Sequence, residues 1–205
     1  MDDFAPDTLL AEEDTKKHPL GLFFKELFKV LIIGAIAVVA IRYFVFKPFV
    51  VSGTSMVPTY MDKEYLIIDE LSFHLGQPHR GQVIVMHYHG DPTMEYFLKR
   101  IIGLPGERLV VRDGRVRIYN SQHPEGEYLD ESAYLAPNVL TDGDIDVTLG
   151  SDEYYVMGDN RGASFDSRRF GPVKRVDLVG RALFRGFPLD RIGYLGADVY
   201  NHTEP

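Results

Sequence analysis

The 205-residue chain contains no cysteine, which rules out disulfides, thiolate catalysis and cysteine-based zinc sites. It also has no excess of positive charge. Its 22 Lys and Arg stand against 30 Asp and Glu, a formal net charge of −8, so it offers no cationic field to the phosphates of nucleic acid. No internal repeat is visible, and beyond residue 50 there is no long helical periodicity. The start is acidic, and no small-residue cleavage site follows the first apolar stretch, so it does not read as a removable secretory leader. What the chain does have is 45% hydrophobic and 12% aromatic residues, enough for a packed core. Its length accommodates one membrane segment plus one compact domain, or two small lobes.

Residues 1–19 are polar, with Asp2, Asp3, Asp7, Glu12, Glu13 and Asp14 ahead of Lys16 and Lys17, and read as a disordered tail. Residues 20–49 read as a transmembrane helix. The uncharged stretch Val30–Ile41 is 12 residues, about 18 Å of helix, too short for a hydrocarbon core of about 30 Å. Extended to Leu22–Phe46 it suffices, with Lys25 and Lys29 reaching one interface and Arg42 the other. Tyr43, Phe44, Phe46 and Phe49 would form an aromatic belt, and Lys47-Pro48 would end the helix. The alternative is a buried helix of a soluble protein, but no second long apolar helix is available to bury it. Lys16, Lys17, Lys25 and Lys29 outnumber Arg42 and Lys47, which places the N-terminus in the cytoplasm and the rest of the chain outside.

From residue 50 onward, β-type runs alternate with turn signals: 64–69, 82–88, 95–102, 107–111, 114–120, 144–149, 152–158 and 176–187. Asp113-Gly114 is a hairpin turn between two of them. This predicts a mostly β, antiparallel domain. Residues 121–143, rich in Asn, Pro, Asp, Glu and Gly, read as a long surface loop.

Three segments could carry chemistry. In SGTSMVPT (52–59), Gly53 permits backbone angles closed to other residues and Pro58 fixes the chain beyond Ser55. A rigid turn of this kind can expose the Ser55 hydroxyl and aim successive N–H groups at one spot, as an oxyanion requires. An ordinary surface turn would look the same. In EYFLKRII (95–102), Lys99 shares a strand face with Phe97 and Ile101, while Arg100 points the other way. An amine on an apolar face loses pKa and can become a general base for serine. Guanidinium cannot. A lysine whose stem lies on the sheet with its head in water is the alternative. In GDNRGASFDSRRFGPV (158–173), dense Asp and Arg suggest a loop built on ion pairs, in which a serine could orient the lysine amine; an exposed turn is the alternative. His87 and His89 share a strand face, but without a third ligand at suitable spacing no metal is expected.

These segments, in this order and behind a membrane span, resemble the bacterial type I signal peptidases, membrane-bound Ser/Lys proteases that remove signal peptides from exported proteins. The resemblance covers most of residues 22–185. It implies that Ser55 is the nucleophile and Lys99 the general base. It further implies that Ser164 hydrogen-bonds the lysine, that Asp166 and Arg168 form a structural ion pair, and that Gly158 and Asp159 open the loop. Met56 and Pro58 shape the serine turn. Gly53 stands where some members carry an oxyanion-hole serine, which leaves that role to backbone N–H groups, chiefly of Ser55, with Ser52 or Thr54 as further candidates. Gln82, Tyr60 and Gly162-Ala163 also depart from the usual residues. The resemblance implies a catalytic β domain from 50–106 and 153–190, a small inserted β lobe at 107–152 and a C-terminal tail from 191. It implies a lipid bilayer and signal-peptide-bearing preproteins as partners, no cofactor, and an extracytoplasmic catalytic domain on the plasma membrane. A self-cleaving repressor-type Ser/Lys peptidase would carry a DNA-binding module in place of the span. A tethered β module that only binds would leave Ser55 inert to acylating reagents.

Overall fold

The computed structural model describes residues 19–44, 46–90, 96–196 and Tyr200. The tail expected over residues 1–19 lies outside them save for Pro19. Helix α1, Pro19–Phe44, begins on a proline, whose missing N–H has no partner at a first helical position anyway. Leu20, Phe23, Phe28, Leu31, Ile33, Ile36 and Val38 are exposed along it, and Lys29 pairs with Glu26 at 2.9 Å. Among the described residues no helix is long and apolar enough to cross a membrane. Lys25, Glu26 and Lys29 interrupt the first half of α1, and the side chains of residues 39–46 lie outside those described.

The expected helical end at Phe46 and the aromatic belt reaching Phe49 are corrected. The helix stops at Phe44, and Phe46–Val50 forms strand β1, paired in register with β2 (Tyr65–Asp69) from Phe46↔Asp69 to Val50↔Tyr65. Phe49 packs against the core cluster of Val51, Met56, Leu66 and Ile68. Pro48 is tolerated because β1 is an edge strand, where one missing N–H breaks no ladder on the open side.

The remaining strands are β3 (Val83–His87), β4 (Tyr96–Gly103), β5 (Arg108–Arg112), β6 (Arg115–Tyr119), β7 (Glu127–Tyr128), β8 (Ile145–Thr148), β9 (Glu153–Met157), β10 (Val173–Lys174), β11 (Leu178–Phe187) and β12 (Gly193–Tyr194). They form two antiparallel sheets, so the mostly β antiparallel reading holds. The larger runs β1-β2-β11-β3-β4-β9-β10, with β12 on β11; the smaller runs β7-β6-β5-β8. At the turn between β5 and β6, Asp113 and Gly114 both take positive φ, as a two-residue hairpin loop in a right-twisted ribbon requires.

Strand β3 reads as a continuous apolar run because both its faces are covered. Val83 and Val85 join the cluster around Met56 and Leu98; Ile84 and Met86 join Phe73, Ile101, Tyr154 and Val156. A third cluster joins the two sheets, with Ile102, Tyr155 and Met157 against Leu109, Val111, Val116 and Ile118. The stretch 121–143 is not wholly a surface loop: β7 pairs with β6, and Tyr134, Leu135 and Thr141 are buried. Beyond residue 191, β12 pairs with β11, and Tyr200 meets the Tyr134 hydroxyl at 2.8 Å.

Candidate active site

The serine turn leaves β1 through Val51, whose N–H and C=O both bond the returning chain at Glu64 and Lys63. Gly53 takes a φ of +91°, closed to most side chains, and its N–H is held by Asp62 Oδ1 at 2.9 Å. Helix-like bonds follow, from Val57 N–H to Thr54 O and from Tyr60 N–H to Met56 O. Met56, almost wholly buried, anchors the turn from below, and Pro58 follows in a cis peptide bond. Ser55 is left half-buried with its hydroxyl directed at β4.

Lys99 lies on β4 opposite Ile84 of β3, and is 3% exposed. On its other side, β9 pairs with β4 only as far as Arg100↔Met157 and then turns away at Gly158. The Lys99 amine reaches across to the serine turn. Its Nζ lies 2.8 Å from Ser55 Oγ and 3.0 Å from Leu98 O, with the Phe97 ring centroid at 5.3 Å. Burial pulls its pKa from 10.5 down to about 8, against the opposing pull of Asp166 and Asp159. An appreciable fraction is therefore neutral near pH 8, within hydrogen-bond reach of a hydroxyl.

Gly158 makes this approach possible. A Cβ there would stand 2.3 Å from Ser164 Oγ and 2.4 Å from the Ser55 carbonyl oxygen, so only a bare backbone fits. Its N–H bonds Asp166 Oδ2 at 3.0 Å. Asp166 also accepts from Arg168 Nε at 2.9 Å and Nη2 at 2.8 Å, and caps the short helix α2 (Ser167–Phe170) through the Arg168 N–H. Burial works to raise the Asp166 pKa, but Arg168 and the Gly158 N–H hold it below the usual carboxylate range.

Other expected positions fall as follows. Asp159 is buried but faces Arg100, gripping the guanidinium at 2.8 and 2.6 Å. The expected bond from Ser164 to Lys99 is not formed. Ser164 Oγ is buried near the Asp166 carboxylate, close enough to favour its ionised form but without hydrogen-bond geometry to any partner. Gly53 and Thr54 lie exposed on the rim. His87 packs at a tilt against the Tyr96 ring, and His89 pairs with Asp177 at 2.6 Å; among the described residues no group of three potential metal ligands converges.

Sequence reasoning missed Asn160, which ties the serine turn to the late loop. Its N–H bonds the Ser55 carbonyl at 2.9 Å and its Nδ2 bonds the Thr54 carbonyl at 3.0 Å. Its place inside GDNRG was the available signal. Asp62 had none, since an aspartate in a polar turn is ordinary. Phe49, Val51–Met56 and Tyr96–Lys99, with Ala163 and Phe165, enclose a cleft of about 250 Å³ that opens on Ser55.

A buried amine within bonding distance of a serine is shared by several peptidase families, and similarity to known proteins separates them. The family described as "Signal peptidase, peptidase S26" matches residues 24–187. The chain belongs to the signal peptidase family, peptidase S26. It is 35% identical over 202 residues to the probable signal peptidase I-2 of Synechocystis sp. (strain ATCC 27184 / PCC 6803 / Kazusa), covering 94% of this chain and 87% of that protein. It is 36% identical over 174 residues to signal peptidase I of Leptolyngbya laminosa, covering 82% of each. A crystal structure of a signal peptidase I from Enterococcus faecalis V583 is 29% identical and covers 52% of this chain and 97% of that one, with a TM-score of 0.43. Membership makes this signal peptidase a peptide-bond hydrolase.

Proposed function

We propose that this signal peptidase removes N-terminal signal peptides from exported preproteins with Ser55 as nucleophile and Lys99 as general base. The observation that carries the reading is the 2.8 Å separation of Ser55 Oγ from a lysine amine that is 3% exposed and has its pKa lowered to about 8. The neutral amine takes the hydroxyl proton as Oγ attacks the scissile carbonyl. Backbone N–H groups of the serine turn, with Ser55 chief among them, hold the tetrahedral anion. The protonated amine gives its proton to the leaving nitrogen, and the mature protein departs. Lys99 then deprotonates a water, which hydrolyses the acyl-enzyme and returns the proton to Ser55. Asp166, Arg168 and Gly158 support the loop.

The precursor lies extended along the β4 edge at Tyr96–Leu98, where β9 no longer pairs, and its small residues at the first and third positions before the cut occupy the cleft. Although its described residues are not apolar enough throughout to cross a membrane, α1 is read as the plasma-membrane anchor, with its charged first half at the interface. Its 26 residues span about 39 Å against a core of about 30 Å, with Lys25 and Lys29 reaching the cytoplasmic interface. The catalytic unit lies on the extracytoplasmic side.

The test is precursor cleavage by full-length enzyme in vesicles. Ser55→Ala and Lys99→Ala should each lose cleavage while remaining folded by circular dichroism. The wild-type rate should fall about tenfold per pH unit below about 8, as the amine takes up its proton. Retained activity in either variant, or a flat rate down to pH 5, removes that residue from the dyad.

A further inference from the structure

The 158–163 loop that supports the site carries a cation with no part in the dyad. Arg161 is buried, its side chain wholly inaccessible. Its counter-charge comes from the small-sheet lobe: Glu131 receives its Nη2 at 2.6 Å and Nη1 at 3.2 Å, and Thr141 Oγ1 accepts a further bond from Nη1. The Nε donates to the Gly158 carbonyl at 3.1 Å, so the arginine folds back and closes its own loop. Between Gly158 and Arg161 sits Asn160, whose two bonds hold the carbonyls of Thr54 and Ser55. Tyr134 completes the set. Its hydroxyl bonds Glu131 at 2.8 Å, and the Arg100 guanidinium lies 4.0 Å from its ring. Two arginines, Asp159 and Glu131 thus share one buried, charge-balanced network that reaches from the lobe to the strand bearing Lys99.

We infer that Glu131 and Thr141, more than 70 residues from Ser55 in the chain, are positioning residues for the nucleophile, acting through Arg161 and Asn160 on the Ser55 carbonyl. The inference rests on Ser55 being the nucleophile. A buried guanidinium has few alternative arrangements once its carboxylate is lost. Removing Glu131 therefore frees Arg161 to leave, and with it the turn that fixes Asn160. Because a displacement of about 1 Å at a reacting group can cost on the order of a hundredfold in rate, the effect should fall on turnover rather than on binding along β4. The lobe is then a structural member of the active site, and residues 121–143 contribute to catalysis without touching substrate.

The experiment compares wild type, Glu131→Gln, Glu131→Asp and Thr141→Val in full-length enzyme. Asp146→Asn serves as a control, since it removes an exposed ion pair with Arg108 in the same lobe. Glu131→Gln should lower kcat about tenfold or more with KM little changed, Glu131→Asp should recover part of the loss, and the control should match wild type. Amide exchange at Asn160 should quicken in Glu131→Gln, a readout that needs no activity. If wild type cleaves no precursor, the dyad reading fails and the inference falls with it; if wild type cleaves and exchange at Asn160 is unchanged in Glu131→Gln, the inference alone fails. If Glu131→Gln does not fold, Thr141→Val, which keeps the ion pair, carries the same kcat and exchange expectations at smaller size. Unchanged kcat and unchanged Asn160 exchange in a folded variant, or an equal loss in Asp146→Asn, would overturn the inference.

Discussion

Lys99 and Arg100 are neighbours on one strand, each 3% exposed, and the two faces of that strand treat them in opposite ways. Burial alone would weaken the charge on Arg100, but Asp159 grips it bidentately, the Gly81 carbonyl accepts a further bond, and its pKa ends up raised. On the other face Lys99 is offered a serine hydroxyl and a carbonyl oxygen. The carboxylates that pull on it, Asp166 and Asp159, are already committed to Arg168 and Arg100. Desolvation therefore prevails, and the pKa falls. The lesson is that burial does not by itself decide protonation; the allocation of counter-charge does. Arginine, which cannot deprotonate, sits where a charge is wanted, and lysine sits where one is not.

The comparison can be broken most severely by Lys99→Arg. This would set a permanent cation against Ser55, and cleavage should fall by about 10²–10⁴-fold, the usual worth of a general base, as read by precursor processing. An active variant would mean that proton abstraction occurs elsewhere. On the opposite face, Asp159→Asn strands a buried guanidinium, and denaturant unfolding should register a loss of about 3–5 kcal/mol. A change below about 1 kcal/mol would show that water or Tyr134 compensates. The gentlest change, Lys99→Met, sharpens the contrast. Between about 8 and 10.5 the unfolded chain holds a proton that folded Lys99 does not, so wild-type stability rises with pH through that window. Below it, the methionine variant should be the more stable by up to roughly 3 kcal/mol, an advantage that vanishes by about pH 10.5. Urea titrations at pH 7 and pH 10.5 would show the crossover, and its absence would contradict a lowered lysine pKa.

Much of this site was legible because strand alternation is strict. Once 95–102 reads as a strand, Lys99 and Arg100 must face opposite ways, and Phe97 and Ile101 mark the apolar side. The Asp113-Gly114 hairpin was legible because its chemistry admits few other shapes. The departures have equally specific causes. Phe46–Val50 follows directly on an apolar helical run, and although Lys47-Pro48 marked a helix end, nothing local announced that β2 would claim the segment as an edge strand. The two-residue strand β7 is too short to display a period. Glu131 and Thr141 sit in a polar stretch whose composition matches any surface loop, and only the approach of Arg161 from 20–30 positions further on explains their burial. The geometry of Ser164 turns on rotamers, which no sequence pattern encodes.

Strand β9 releases β4 at Arg100, so Tyr96–Leu98 keeps β3 on one side and has no strand paired to its other edge among the described residues. Peptide groups are the same in every protein, so a docking edge of this kind reads the shape of a stretched guest and is blind to most of its sequence. An enzyme meeting many different exported chains would gain breadth from that indifference and, on the proposed reading, leave discrimination to the side chains that reach the cleft.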